Sequence, residues 1–169
     1  MRLFPRRSAL PVDVRDQLTL APGERLLAWA PAGTGWVVAT THAVWLPARS
    51  RHERLGWEAV DAAGWNTDEA LLTLVQAAPL GSRPRRWAVR VEDAGDLLLV
   101  VKERVRATVV LSRRVDVDGG GVTVVARRPP GTDRITWTVS VDRGVDVADP
   151  ATRDEIDRVV RRLKEQVGG

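Results

Sequence analysis

The fold is decided by residues 35–47, which read GWVVATTHAVWLP from Gly35 to Pro47. Two runs of valine, alanine and tryptophan flank a polar Thr41-His42 pair, and a proline ends the second run. β-branched and aromatic residues bounded by turn residues are typical of β-strands. The stretch therefore predicts two strands, Trp36–Thr40 and Ala43–Leu46, that meet at a tight corner.

Short strand patterns recur on both sides of this stretch, at the spacing of a sandwich or a small barrel. A short helical lead-in is predicted over Leu10–Leu18 and a hairpin loop over 31–35, and the polar span Ala48–Arg54 is predicted to be a loop. Residues 57–60 are ambiguous. The further predicted strands are Arg25–Ala30, Ala62–Trp65, Ala70–Val75 and Trp87–Val91.

The segment from Asp96 to Arg106 fits two structures. Its first part, Leu97–Val101, could form a strand, but Leu98, Val101 and Val105 recur at three and four residues. Charged side chains fall away from that apolar stripe, as they do on an amphipathic helix. A mid-chain helix over 96–106 is the favoured prediction.

The segment 107–142 predicts a three-stranded antiparallel meander. Glycines 119–121 and the Pro129-Pro130-Gly131 sequence supply its two turns. In its last strand, Ile135, Trp137, Val139 and Val141 alternate with polar residues. This period of two predicts a sheet with one apolar face and one solvent-facing side.

A C-terminal helix is predicted over 149–167. Asp149 is a good N-cap, Pro150 suits the first helical position, and basic residues gather toward the end of the segment. The apolar stripe has no Trp or Phe to anchor in lipid, so we expect it to pack on the protein's own sheet rather than on a membrane or a partner. The stripe consists of Ile156, Val159, Val160, Leu163 and Val167.

The composition sets limits on function. The chain has 169 residues and no cysteine, which excludes disulfides and thiolate chemistry. Its pI is about 10.8 although its net charge is only +4, because arginine replaces lysine almost throughout. No signal peptide and no transmembrane segment are predicted, and we expect a cytoplasmic protein.

The sequence of residues 35–46, followed by a basic loop and then by LGWEAVDAA over 55–63, resembles bacterial pleckstrin-homology-like domains. The resemblance covers residues 23 to about 76 and extends to small proteins of high-GC bacteria. It implies a bent antiparallel barrel of seven strands plugged by a C-terminal helix. It implies no single activity, since such domains bind phosphoinositides, peptides or proteins.

Two departures from that family's pattern bear on function and topology. Lipid-binding members carry cations in the loop between the first two strands, whereas residues 31–35 here carry none. Phosphoinositide binding is therefore not expected. In addition, a helix at 96–106 followed by three further strands fits poorly with a seven-strand count.

The predicted architecture is a single α+β domain over 1–169, with an antiparallel bent sheet or partly open barrel of pleckstrin-homology-like type. Its parts are an N-terminal lead-in (1–20), a first strand set (21–93), the mid-chain helix (96–106), the meander (107–142) and the C-terminal helix (149–167).

No catalytic, metal or cofactor site is predicted. His42 and His52 are the only histidines and have no carboxylates at metal-binding spacing. Asp116 and Asp118 precede three glycines, but the remaining ligands of a calcium loop are missing. An enzyme is therefore not expected.

Two groups of residues are candidates for binding. Arginines cluster in two loops, and they would form an anion-binding surface if the loops share one rim. Seven tryptophans are present, and most are expected in the core, but Trp36 and Trp57 could form an interaction surface if they are exposed neighbours. The candidate anion-binding residues are Arg49, Arg51, Arg54, Arg83, Arg85 and Arg86.

Three functions remain open from the sequence. The leading hypothesis is a non-enzymatic interaction or scaffold module that binds a protein partner. The second is nonspecific binding of nucleic acid or another anionic surface through the arginine loops, with affinity that falls steeply with salt. The third is a peripheral membrane module that uses Phe4 with Arg2, Arg6 and Arg7 on anionic lipid. An uncovered edge strand would also allow a homodimer.

Overall fold

The computed structural model describes residues 9–33, 35–49 and 51–167. The protein is α+β, with three helices and three antiparallel sheets in the described residues. The helices are α1 Val12–Asp16, α2 Leu97–Ala107 and α3 Pro150–Val167. The strands are β1 Leu26–Ala32, β2 Gly35–Thr40, β3 Ala43–Pro47, β4 His52–Gly56, β5 Val60–Asn66, β6 Leu71–Gln76, β7 Arg86–Arg90, β8 Val109–Val117, β9 Gly120–Arg127 and β10 Thr136–Val141.

Each sheet is a meander in which strands that follow one another in sequence pair with one another. The orders are β1-β2-β3-β4, β5-β6-β7 and β10-β9-β8. In the described residues the strands therefore form three separate sheets, and the predicted barrel does not close. A short 3₁₀ turn, Trp57–Ala59, leads from the first sheet into the second. It is the structure of most of the segment 57–60, for which the sequence was ambiguous.

The first two sheets and α2 enclose one hydrophobic core. Alternate side chains of β2, β3 and β6, such as Val37, Leu46 and Leu74, are fully buried there. From α2, Leu97, Val101 and Val105 enter the same core, which confirms the helix predicted for 96–106. We call residues 26–107 the seven-strand unit.

The third sheet and α3 enclose a second core. Trp137, Val139 and Val141 of β10 face Ile156 and Leu163 of α3 in this cluster. The predicted meander and the predicted C-terminal helix are thus both confirmed, and their apolar sides meet. We call residues 109–167 the three-strand unit.

The placement of the last helix corrects part of the prediction. The C-terminal helix was expected to plug the whole strand set, but α3 packs in the core of the third sheet. The seven earlier strands are closed by α2 instead. The physical reason is that Leu97, Val101 and Val105 of α2 already fill the seven-strand core, whereas the apolar stripe of α3 is buried against the third sheet.

Two predicted loops are also shorter than expected. β1 continues through Pro31 and Ala32, which pair with Trp36 and Gly35 of β2. His52, Glu53 and Arg54 were predicted to lie in a loop, but they belong to β4 and pair with β3. The strand was not predicted because its side chains are polar. Each of them has a partner that is remote in sequence, and a local pattern does not show such a partner.

Arg127 joins the two units at the end of β9. Its side chain is only 4% exposed, and its Nη1 donates hydrogen bonds to the Val105 carbonyl (3.2 Å) and the Thr108 hydroxyl (3.0 Å). Nη2 donates to the Asp61 carbonyl at 3.4 Å. Burial lowers the pKa of Arg127 below its ordinary value, although the Asp61 carboxylate acts in the opposite sense. The guanidinium therefore caps the end of α2 from the neighbouring unit.

Candidate anion-binding rim

The two arginine loops of the sequence converge at one ion pair. Arg85, which precedes β7, donates to both carboxylate oxygens of Glu53 in β4, with Nη2 2.6 Å from Oε2. The Arg85 guanidinium also stacks on Trp87, 4.5 Å from the ring centroid. Arg51 lies two residues before Glu53, and Arg83 lies two residues before Arg85. Because residues two apart are at most about 7 Å from each other, the two loops share one rim.

All six candidate arginines are exposed, and four of them have no ion-pair partner among the described residues. Arg49, Arg51, Arg83 and Arg86 are all exposed, and no carboxylate of the described residues lies within ion-pairing distance of them. We call these four residues the arginine rim; Arg86, which directly follows Arg85, points to the opposite face of β7. An exposed guanidinium without a carboxylate partner is available to an anionic ligand.

The other two candidate arginines have partners within the protein. Arg85 is held by Glu53, as described above. Arg54 lies 3.9 Å from Oε2 of Glu24, a carboxylate with a fully buried side chain. Residues alternate along a strand, so Arg54 and Glu53 point to opposite faces of β4. The six arginines therefore do not form one continuous patch.

Glu24 is the buried centre of a polar cluster beside Arg54. It accepts hydrogen bonds from the Thr40 hydroxyl and from the backbone N–H of Ala21 at 2.9 Å. Nδ1 of His42 lies 3.8 Å from Oε2 of Glu24. This cluster fixes the corner between β2 and β3, and it assigns Arg54 a structural partner.

Trp36 lies next to the rim, and Trp57 does not. Trp36 is half-buried and lines a hollow of about 350 Å³ together with Arg49, Arg51 and residues of α1. Trp57 is fully buried, and its indole N–H donates to the Thr40 carbonyl at 2.9 Å. The condition for an interaction surface, that Trp36 and Trp57 are exposed neighbours, is therefore not met, because Trp57 lies in the seven-strand core.

His52 and Gln17, for which the sequence predicted no binding role, hold this hollow in place. His52 is buried between α1 and β2, with Nδ1 3.1 Å from Oε1 of Gln17 and Nε2 3.0 Å from the Trp36 carbonyl. Gln17 follows α1 directly, so these contacts tie the lead-in to the rim.

Two other sequence features lie elsewhere. Phe4, Arg2, Arg6 and Arg7, the candidate lipid contacts, fall outside the described residues. None of the helices in the described ranges is long and apolar enough to cross a membrane. In comparisons with known proteins, no family model matches the chain, and no curated protein or solved structure matches it either.

Proposed function

We propose that this protein is a non-enzymatic interaction module of the pleckstrin-homology-like type, which binds an acidic partner protein through the arginine rim and Trp36. One observation carries the proposal. Residues 26–107 form seven antiparallel strands in two sheets around a single core, and a helix closes that core. This is the strand count and the closing helix that the sequence resemblance implies, with α2 in the role of the closing helix. The three-strand unit is then an addition to the module.

The rim supplies suitable chemistry for such a partner. Arg49 and Arg51 project from the loop before β4, and Trp36 offers a partly exposed apolar surface between them and α1. Arginine and tryptophan are the residues that dominate protein interfaces, since each combines apolar area with directed hydrogen bonding. The guanidinium groups match carboxylates in geometry and charge. An acidic segment is therefore the proposed ligand.

The alternative function is binding of nucleic acid or another anionic surface. It is favoured by the same four exposed arginines and by the neighbouring indole, on which a base could stack. A rim of four cations would neutralise only a few phosphates, so the affinity would be low and would fall with salt.

The proposal is tested with the full chain and labelled probes in fluorescence anisotropy. The probes are a polyglutamate peptide, a DNA duplex and vesicles of anionic lipid. The rim variant is Arg49→Ala with Arg51→Ala, and its matched control is Arg158→Ala with Arg161→Ala on the exposed side of α3. We expect polyglutamate to bind to the wild type and the control, and to lose at least about tenfold in affinity with the rim variant.

Two results would count against the proposal. If the rim variant bound polyglutamate as well as the control did, the rim would not be the site. If the duplex or the vesicles bound more tightly than polyglutamate at equal salt, the alternative function would replace the proposed one.

A further inference from the structure

A groove lies where the two units meet, on a different surface from the arginine rim. The end of α2 and the start of β8 form one wall, and the loop between β9 and β10 forms the other. The groove has a volume of about 460 Å³. Its loop wall is braced by the Thr132 N–H and hydroxyl, which both donate to the Pro129 carbonyl, and Gly131 lies beside the imidazole of His42. We call this feature the junction groove.

The part of the groove wall that β8 forms is apolar and exposed. Val109 is 38% exposed and Val110 is 42% exposed, and both line the groove. The pairing of β8 with β9 shifts between Val109 and Leu111, so that Val110 is the extra residue of a β-bulge. A bulge on an outer strand turns its side chain away from the regular alternation. Here it leaves two adjacent valines open to a ligand.

The strand that carries these valines has an open edge. β8 is the outer strand of its sheet and pairs with β9 on one side only. Over the described residues no other strand pairs with its second side. Its outward N–H and C=O groups can therefore receive an added strand, which is a common way for a sheet to bind an extended peptide.

The charges at the groove select an acidic ligand. Among the described residues, Arg104 and Arg128 are the only charged ones that line it, and none of those lining residues carries a carboxylate. Arg128 follows the buried Arg127, so it is directed outward by the alternation of the chain. Farther along β8, Arg113 is exposed, whereas Arg114 donates to the Asp142 carboxylate. On β8 itself the charged residues are Arg113, Arg114 and Asp116, and all three are exposed.

A second copy of this chain is a poorer occupant. Antiparallel pairing of two β8 strands over their full length would place Arg113 opposite Arg113 of the other copy. Like charges directly opposite each other destabilise such a pair. An acidic peptide meets the same strand without that repulsion.

We propose that the junction groove binds an extended acidic segment of a partner protein. An apolar side chain of that segment packs on Val109 and Val110, and its carboxylates pair with Arg104 and Arg128. This site is independent of the arginine rim, because the two surfaces share no residue. The protein would then hold two acidic segments at once, one on the arginine rim and one at the junction of the two units.

The test uses the full chain and a labelled peptide of about ten residues in which aspartate and valine alternate. A second peptide, with lysine in place of aspartate, controls for charge. The groove variants are Val110→Asp and Arg128→Glu, and the matched control is Arg161→Glu. Circular dichroism verifies that each variant is folded. Binding is measured by anisotropy, and its location is measured by amide chemical-shift changes in NMR spectra.

We expect the aspartate peptide to bind, with shifts along β8 and the groove, and the lysine peptide not to bind. Each groove variant should weaken the affinity at least about tenfold, and Arg161→Glu should not. The rim variant Arg49→Ala with Arg51→Ala should leave this binding intact, which separates failure of this site from failure of the rim. Equal affinity in the groove variants would overturn the proposal. Shifts confined to the rim, or concentration-dependent dimerisation through β8 without peptide, would also overturn it.

Discussion

The two units of the chain build their cores in different ways. In the seven-strand unit, two sheets and α2 surround the interior, and side chains such as Val37, Val60 and Leu74 are fully buried. In the three-strand unit, one sheet meets one helix, and Val139 and Val159 are only partly buried. This sheet has three strands, two of which, β8 and β10, are outer strands. The three-strand unit is therefore the less stable part, and it also carries the open strand edge.

The largest expected effect comes from emptying the better-buried core. Trp57→Ala removes a fully buried indole and its hydrogen bond to the Thr40 carbonyl. We expect the free energy of unfolding to fall by about 3–5 kcal/mol, because the lost contacts and the remaining cavity both destabilise the fold. Urea denaturation followed by far-ultraviolet circular dichroism measures this.

The matched control is Trp36→Ala. Trp36 is half-buried at the surface of the same unit, so its removal should cost roughly 1 kcal/mol. If the two substitutions had equal costs, the seven-strand unit would not have the closed core described above.

The next largest effect comes from breaking the junction. Arg127→Ala removes the guanidinium donor from the Thr108 hydroxyl oxygen and from the carbonyls of Val105 and Asp61. The Val105 carbonyl keeps the Thr108 hydroxyl as a donor, at 2.7 Å. We expect a loss of about 2–3 kcal/mol, which is typical of unsatisfied buried polar groups. Thermal and urea unfolding should show the loss, and the transitions of the two units should separate.

The adjacent residue supplies the control for the junction. Arg128 is exposed, so Arg128→Ala should change the free energy of unfolding by no more than about 0.5 kcal/mol. A similar cost for both arginines would show that Arg127 does not join the units.

The smallest effect is a pH dependence within the three-strand unit. Asp149 accepts hydrogen bonds from the N–H of Thr152 at 2.8 Å and from its hydroxyl at 2.9 Å, and these bonds lower the pKa of Asp149. A lowered pKa in the folded state stabilises the protein above the ordinary carboxyl pKa. That stabilisation is lost as the pH falls through the folded-state pKa. We therefore expect α3 to lose protection in acid.

Carboxyl ¹³C titration by NMR measures this pKa directly. Asp149→Asn keeps a side chain that can cap the helix but cannot titrate, so it should remove the acid dependence without removing the cap. Titration of Asp149 at or above the ordinary aspartate value would contradict the capping interaction.

The sequence predicted local periodicity well and long-range partners poorly. The alternation through Trp137, Val139 and Val141 and the stripe through Ile156 and Leu163 indicated both elements and the faces that meet, because each pattern is complete within one segment. Residues with remote partners could not be placed in this way, and they are the ones that position the site.

Three such residues show why local sequence patterns were not sufficient. His52 is held by Gln17 and by the Trp36 carbonyl, and Glu53 by Arg85, so a polar strand was predicted to be a loop. Trp57 contacts the Thr40 carbonyl across the core, and nothing next to it in the sequence indicates that its indole is buried. Of the candidate site, the arginine loops were identified from the sequence, but their convergence depends on the Glu53–Arg85 pair.

The most direct test of the two-unit account is native-state hydrogen exchange across a series of denaturant concentrations. We predict that amides of β2, β3 and β6 exchange only through the opening with the highest free energy. Amides of β10 and α3 should exchange through a separate opening of lower free energy. A single opening free energy shared by all of these elements would contradict the account, because the two cores would then unfold as one.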